Sequence, residues 1–400
     1  MKKRGDGMGW RNLGCGILFG LALAIAVWPA LPAQQSSAPV RFAFGGNAAE
    51  IPAEFLENLV FLPVRINDTQ PSLFELDSTA AASSIDPARA AELGLGALRN
   101  PVLNLPGVQF PLTTLPAVSR ESFAAQIGRA FQGALGNDFL GSVVAEIDYG
   151  RQTVRLYDPG AYKYSGKGVS VPLSFSGGVP LIRIKLDLPG QRAREGEFTV
   201  DTTLDAAVLV SEPFAEAHHL FSARMKTVQV SDPQINGGEN IALGRAKEIQ
   251  IGPYQVESAI VAFSPKGAAA GADKNIAGSI GGGILRRFVV TFDYPHKQMF
   301  LAANPRFADY EEEDKSGLSI VAKGPGLKTF EVFAVQPSTP AAEAGIQRGD
   351  IIAGVDEEAA ADLTLASIRY LFRQIGHKYK LTIERNGQSM QITIQMRRLI

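Results

Sequence analysis

Apolar residues recur along this chain mostly at every second position, in short runs closed by Gly, Pro, Asn or Asp. In Val60-Phe-Leu-Pro-Val-Arg-Ile66 this period sets Leu62, Val64 and Ile66 on one face, as in a half-buried strand, and Pro63 within the run predicts a sheet edge. The same reading predicts strands over 73–76, 143–148, 153–156, 181–186 and 198–200. Short helical patterns cover 87–93 and 212–219, and 159–169, rich in Gly, Lys and Tyr, reads as a linker. Toward the C-terminus, strands are predicted over 318–321, 330–335, 351–355, 380–384 and 391–395. Between them a period near 3.6 over 363–375 puts Ile368, Leu371, Phe372 and Ile375 on one helix face. Asn386-Gly387 marks a hairpin between the last two strands.

Composition agrees with this picture. The 41 glycines and 24 prolines among 400 residues, with 8% aromatics, favour strands and turns over a helical bundle, and the length suits two or three domains. The N-terminus follows another pattern: Lys2, Lys3, Arg4 and Arg11 precede an apolar stretch over 14–27, which Trp28-Pro-Ala-Leu-Pro-Ala33 breaks ahead of Gln34-Gln35. That is the layout of a signal peptide cut after Ala33, so the chain is expected to be exported, periplasmic or secreted, without stable membrane insertion once cut. Leu31 departs from the small-residue pattern three positions before the cut, which leaves an uncleaved anchor as the alternative. Cys15, the only cysteine, precedes the cut, so the mature chain has neither disulfide, thiol nucleophile nor thiolate metal site. Removing residues 1–33 moves the net charge from -1 to -4, which leaves no basic excess for nucleic acid.

Two segments repeat. Leu73-Phe-Glu-Leu-Asp-Ser-Thr-Ala-Ala-Ala-Ser-Ser-Ile85 parallels Glu197-Phe-Thr-Val-Asp-Thr-Thr-Leu-Asp-Ala-Ala-Val-Leu209. Ala134-Leu-Gly136, followed by Phe139-Leu140 and Ile147-Asp-Tyr149, parallels Ser279-Ile-Gly281, followed by Ile284-Leu285 and Phe292-Asp-Tyr294. Landmarks recurring in the same order point to a duplicated β-lobe. The second copy is 21 residues longer between its Asp and its Gly, room for a hairpin built from 227–230 and 241–243 around Asn236-Gly237-Gly238.

An apolar strand delivering Asp-Ser/Thr-Thr into a turn, twice, with a later apolar-apolar-Gly, resembles the retropepsin-like and pepsin-like aspartic peptidases. The likeness covers roughly 51–305. It implies a mainly β fold of two retropepsin-like lobes forming a bilobal acid-protease body, with Asp77 and Asp201 meeting about 3 Å apart and sharing a proton. One carboxylate takes a proton from the attacking water while the other, protonated, polarises the peptide carbonyl. Ser78 and Thr202 are expected to bond across to the opposite loop. Thr79 and Thr203 support the dyad, as do Gly136 and Gly281, and Gly237 and Gly238 tip a flap. Thr79 and Thr203 stand where the family has Gly. This departure implies either a site built around Thr or a scaffold without catalysis.

Competing chemistries find little footing. His218 and His219 are adjacent and cannot share a helix face, His-Glu-x-x-His is absent, and no Gly-x-Ser-x-Gly elbow occurs. His296 and His377 stand alone, and Gly281-Gly282-Gly283 lacks phosphate-loop spacing and reads as a turn. Neither a metal nor a cofactor is called for.

The last unit carries Lys315-Ser-Gly-Leu-Ser-Ile320 and Gln336-Pro-Ser-Thr-Pro-Ala-Ala-Glu-Ala-Gly-Ile-Gln-Arg-Gly-Asp350, and it resembles a PDZ domain, a small barrel-like α/β module. The resemblance implies that Gly317, Leu318, Ser319 and Ile320 supply the amides and pairing edge for an extended peptide, either a protein C-terminus or an internal segment. The domains expected are a signal peptide over 1–33, a linker over 34–50, and lobes over 51–160 and 170–305. An acidic linker over 306–315 and a PDZ domain over 316–400 complete the chain. The function expected is a monomeric aspartic-type endopeptidase acting on polypeptide. The alternative is an inactive pseudo-peptidase that binds peptides or proteins in the cell envelope.

Overall fold

In a computed structural model, residues 40–94, 100–220, 225–231, 240–264, 273 and 275–400 are described. The expected signal peptide, residues 34–39 of the linker and the flap tip at Gly237 and Gly238 lie outside them. The described residues are mainly β and form four sheets.

The first half builds an eight-stranded sheet around strand Leu59–Ile66, which pairs with Ser72–Leu76. On its other side, Glu54–Leu56 pairs with residues 59–61 and Val102–Leu105 with Arg65 and Ile66. Pro63 therefore falls in the gap between two neighbours, a local edge inside a sheet rather than at its rim, where a missing N–H breaks no ladder. Both faces of this strand's first half are covered, since Phe61 joins Ile127 and Phe131 in a small cluster beneath helix Glu121–Ile127.

Each half contains the same local weave. Ser72–Leu76 runs parallel to Gly133–Leu135, which pairs antiparallel with Ser84–Ile85. In the second half, Arg194–Val200 runs parallel to Ile276–Ile280, which pairs antiparallel with Val208–Val210. The duplication thus extends from sequence to strand pairing. The extra residues of the second copy form the hairpin Val228–Ser231 and Asn240–Arg245, at the outer edge of its ten-stranded sheet.

A six-stranded sheet joins the halves, each giving three strands, with Val144–Asp148 antiparallel to Phe288–Asp293 at its centre. The segment expected to be a linker over 159–169 is fastened to this sheet. Tyr164 stacks on Phe300 with ring centroids 3.9 Å apart, and its hydroxyl accepts from the Gly168 amide at 2.7 Å.

The last sheet runs Leu318–Lys323, Thr329–Val335, Ile351–Val355, Lys378–Arg385 and Gln388–Gln395, packed on helix Leu365–Phe372 through Phe330, Ile368, Phe372 and Leu381. Asn386 and Gly387 turn the final hairpin with φ of 50° and 75°, as a two-residue turn of that type demands. The helix stops sooner than its periodicity suggests. Thr364 caps it in a box with Ser367, and Gly376 at φ 79° follows its end, leaving Ile375 54% exposed rather than on the buried face.

The acidic run is not a solvated linker. Glu311 and Glu313 are buried, and Lys315 has no exposed surface. Glu311 accepts from the Ile260 amide at 2.9 Å and Glu313 pairs with Arg245, while Lys315 donates to Glu312 and to the Arg373 carbonyl. These partners lie 50 or more residues away in most cases, and they turn charges that read as surface into a joint. Arg287, 2% exposed, braces the same run by donating to the carbonyls of Phe307 and Asp309.

Candidate active site

The parallel pairings deliver the two aspartates identically. The Asp77 amide donates to the Leu135 carbonyl and the Asp201 amide to the Ile280 carbonyl, each at 2.9 Å, so both residues leave their strands at the same point of the weave. Ser78 and Thr202 then cross between the halves. The Ser78 amide donates to Thr202 Oγ1 at 3.0 Å and Ser78 Oγ to the Val200 carbonyl at 2.6 Å. Reciprocally, the Thr202 amide donates to Ser78 Oγ at 3.0 Å and Thr202 Oγ1 to the Leu76 carbonyl at 2.5 Å. Both side chains are fully buried, so this exchange fixes the two aspartate loops against each other.

The threonines at the third motif position face their own aspartates. Thr79 donates to Asp77 Oδ1 through its amide at 2.9 Å and its hydroxyl at 2.7 Å, and the Ala80 amide adds a third bond at 2.9 Å. Thr203 repeats the pattern on Asp201 Oδ1, at 2.9 Å and 2.8 Å. Neither threonine takes left-handed backbone, so Gly is not required there. The hydroxyl adds a donor that Gly lacks. One oxygen of each carboxyl is thereby held.

Gly136 and Gly281 are demanded by close approach. A Cβ on Gly136 would lie 2.6 Å from the Ala82 carbonyl carbon, and one on Gly281 would lie 2.3 Å from the Leu204 oxygen. Gly282 and Gly283 leave room for Asn58 and Glu311 in the same manner. The triple glycine is thus a packing crossroads beside the Asp201 loop.

Burial pushes the Asp201 carboxyl up, opposed by the Thr203 bonds and reinforced by the Asp77 charge. Two groups that the motif did not single out share this environment. Glu75, 1% exposed and two residues before Asp77, is raised well above its ordinary value by burial, then by Asp77. Its Oε1 has no partner. The second copy shows why: Thr199, at the matching position, bonds Ser279 Oγ at 2.7 Å, whereas Glu75 stands opposite Ala134. An acidic residue inside an otherwise apolar strand was the available signal. Tyr294, from the repeated Asp-Tyr, is raised by burial and then by Asp77.

In the C-terminal unit, Gly317 turns at φ 79° with Thr339 filling the space where a Cβ would sit, and Leu318, Ser319 and Ile320 begin the edge strand. The amides of Ser316 and Gly317 donate to Asp314 Oδ1 at 2.8 Å and 2.9 Å, and that of Leu318 to Ser316 Oγ at 3.0 Å. Ser319 Oγ donates to the Ser231 carbonyl at 2.5 Å, tying this strand to the hairpin of the second half. Among the described residues no group of three or more His, Cys, Asp or Glu is placed to hold a metal, and no helix is long and apolar enough to cross a membrane.

Residues 312–396 match the PDZ domain family, and the C-terminal unit is therefore a PDZ domain, a module that binds peptide segments. No curated protein matches the chain. Among solved structures it is similar to an aspartic proteinase from Irpex lacteus at 11% identity and a TM-score of 0.40, over 66% of this chain and 98% of that one. It also overlaps a photosystem II D1 C-terminal processing protease at 23% identity and a TM-score of 0.21, over 24% of this chain and 27% of that one. Both superpositions are loose, and the chemistry of the site is read from its own geometry.

Proposed function

We propose that this chain is an aspartic-type endopeptidase that hydrolyses polypeptide after export and carries a PDZ domain for peptide segments. The observation that carries the reading is the reciprocal lock of Ser78 and Thr202 between two aspartates, each bonded through Oδ1 by its own threonine. Three donors on Asp77 Oδ1 suit a carboxylate, and Asp77 is the base that takes a proton from the attacking water. Asp201, raised by burial, is the acid that protonates the carbonyl oxygen as the tetrahedral intermediate forms. Asp77 then passes its proton to the amide nitrogen while Asp201 takes one back from a hydroxyl of the intermediate, so the C–N bond breaks, the amine leaves and the pair returns to its starting state. One chain supplies both halves of the site and acts as a monomer. Export is supported by the basic, apolar and turn-forming order of residues 2–33.

The test is cleavage of a permanently unfolded protein between acid and neutral pH by the full chain, Asp77→Asn and Asp201→Asn. Each substitution is expected to lower turnover by roughly 10²–10⁴-fold, the size of a lost general acid or base. Turnover unchanged by both would refute the dyad. Absence of cleavage in the parent chain would leave a peptide-binding protein on a peptidase-like scaffold.

A further inference from the structure

A PDZ domain takes its peptide between an edge strand and a helix, here Leu318–Lys323 and Leu365–Phe372. In this chain that groove is filled from within. Helix Glu121–Ile127 of the first half packs along the edge strand. At its end Gly128 comes so near the PDZ helix that a Cβ there would lie 2.6 Å from the Leu365 Cβ. Arg369 donates to the Gln126 carbonyl at 2.6 Å and reaches the Ile320 carbonyl at 3.5 Å, so one guanidinium grips the intruding helix and covers a backbone acceptor on the edge. The end of the groove where a ligand carboxylate would bind amides is occupied too, since the Gly317 amide is held by Asp314 and that of Leu318 by Ser316 Oγ.

The same clamp reaches the Asp201 loop. Arg369 and Arg373 both pair with Glu57, at 3.1 Å and 3.5 Å, and Arg373 stands 3.9 Å from Asp205. Asn58, next to Glu57, donates to Asp205 Oδ1 at 2.5 Å and to its carbonyl at 3.2 Å. Asp205 lies four residues beyond Asp201, in the stretch whose Leu204 and Asp205 carbonyls accept from the amides of Gly282 and Gly283. On the far side, Gln336, with its amide turned to satisfy both ends, donates to the Gln229 carbonyl and accepts from the Ser231 amide, at 2.8 Å and 2.7 Å. The PDZ domain therefore touches the covering helix, the Asp201 loop and the hairpin at once.

We propose that the PDZ domain is a latch on the Asp201 loop, closed by the chain's own Glu121–Ile127 helix. It is opened by an internal extended polypeptide segment that takes the helix's place, and not by a free C-terminus. Its effect on turnover rests on the peptidase reading, while its mechanical part does not.

The experiment uses the full chain carrying Asp201→Asn, so that probe cleavage is suppressed, with and without Glu57→Asn. Asn tolerates the φ of 53° at position 57 and removes both arginine pairs. Hydrogen exchange at residues 121–127 and 204–207 is expected to quicken at least tenfold in the variant, and exchange equal to the parent's overturns the latch. A synthetic dodecapeptide pool is then titrated with free and with amidated C-termini. The variant is expected to bind both forms alike and more tightly than the parent. No binding, or binding tenfold tighter with the free carboxylate, overturns the ligand assignment. Should Glu57→Asn fail to fold, Arg373→Gln breaks the Glu57 and Asp205 contacts from the PDZ side, with the same expected outcomes. Restoring Asp201 separates the two readings: quickened exchange without any cleavage refutes the peptidase, and cleavage with unchanged exchange refutes the latch.

Discussion

At the scale of single residues, Thr79 and Thr203 hold one oxygen of each aspartate. Read from sequence, each replaces a family glycine and stands open to opposite interpretations, a block or a substitute. The hydroxyl bonds of 2.7 Å and 2.8 Å to the aspartates favour the substitute. Because these bonds stabilise the charged carboxyl, Thr79→Val with Thr203→Val is expected to raise the Asp201 value further. The limb of a pH–rate profile on which turnover falls with rising pH should then move up by about one pH unit, the equivalent of 1.36 kcal/mol. Replacing both threonines by Gly should lower turnover, and a rise would show that the hydroxyls obstruct the site. That the two Asp-Ser/Thr-Thr turns occupy matching points of the weave was legible because the motif occurs twice. Glu75 was not, since nothing in one strand reveals that its cross-strand neighbour is Ala134 whereas Thr199 has Ser279.

Among the elements, the paired weaves depend on two glycines whose need is steric. In Gly281→Ala the new Cβ would meet the backbone oxygens of Leu204 and Ala206 at 2.3 Å and 2.4 Å, and backbone cannot step aside as a side chain can. The substitution is expected to cost about 1–3 kcal/mol, seen as a lower urea midpoint at unchanged slope. An unchanged midpoint would mean that the Asp201 loop shifts freely. The duplication was readable wherever landmarks repeated, and the extra hairpin from the length difference together with the runs around Asn236-Gly237-Gly238. The end of helix Leu365–Phe372 was misjudged because a period of 3.6 runs on through Ile375, while the glycine that ends the helix lies beyond it. Acidity misled in the same way over 306–315, which read as a linker whereas Ile260 and Arg245 supply buried partners.

At the scale of the whole molecule, burial acts on a set of carboxyls spread over the chain. Among the described carboxyls with resolved shifts, Glu57, Glu75, Asp138, Asp201, Glu311 and Asp314 are all raised, each by burial first. Only Glu343 and Asp350 are lowered. A raised carboxyl binds its proton more tightly in the folded chain, so its stabilisation is present below the unfolded value and is lost as pH climbs through the folded one. Resistance to urea is therefore expected to rise from pH 7 toward pH 5, and a fall over that range would contradict these burial effects.

The six-stranded sheet has a consequence for synthesis. Its middle rung sets Ala145 against Phe292 and Ile147 against Val290, residues made far apart in time. Until the later strand emerges, the nascent first half carries a bare, apolar strand edge at its seam, and such edges invite pairing with whatever strand is nearest. A prematurely terminated chain keeps that edge open, and a second copy of it presents a matching one.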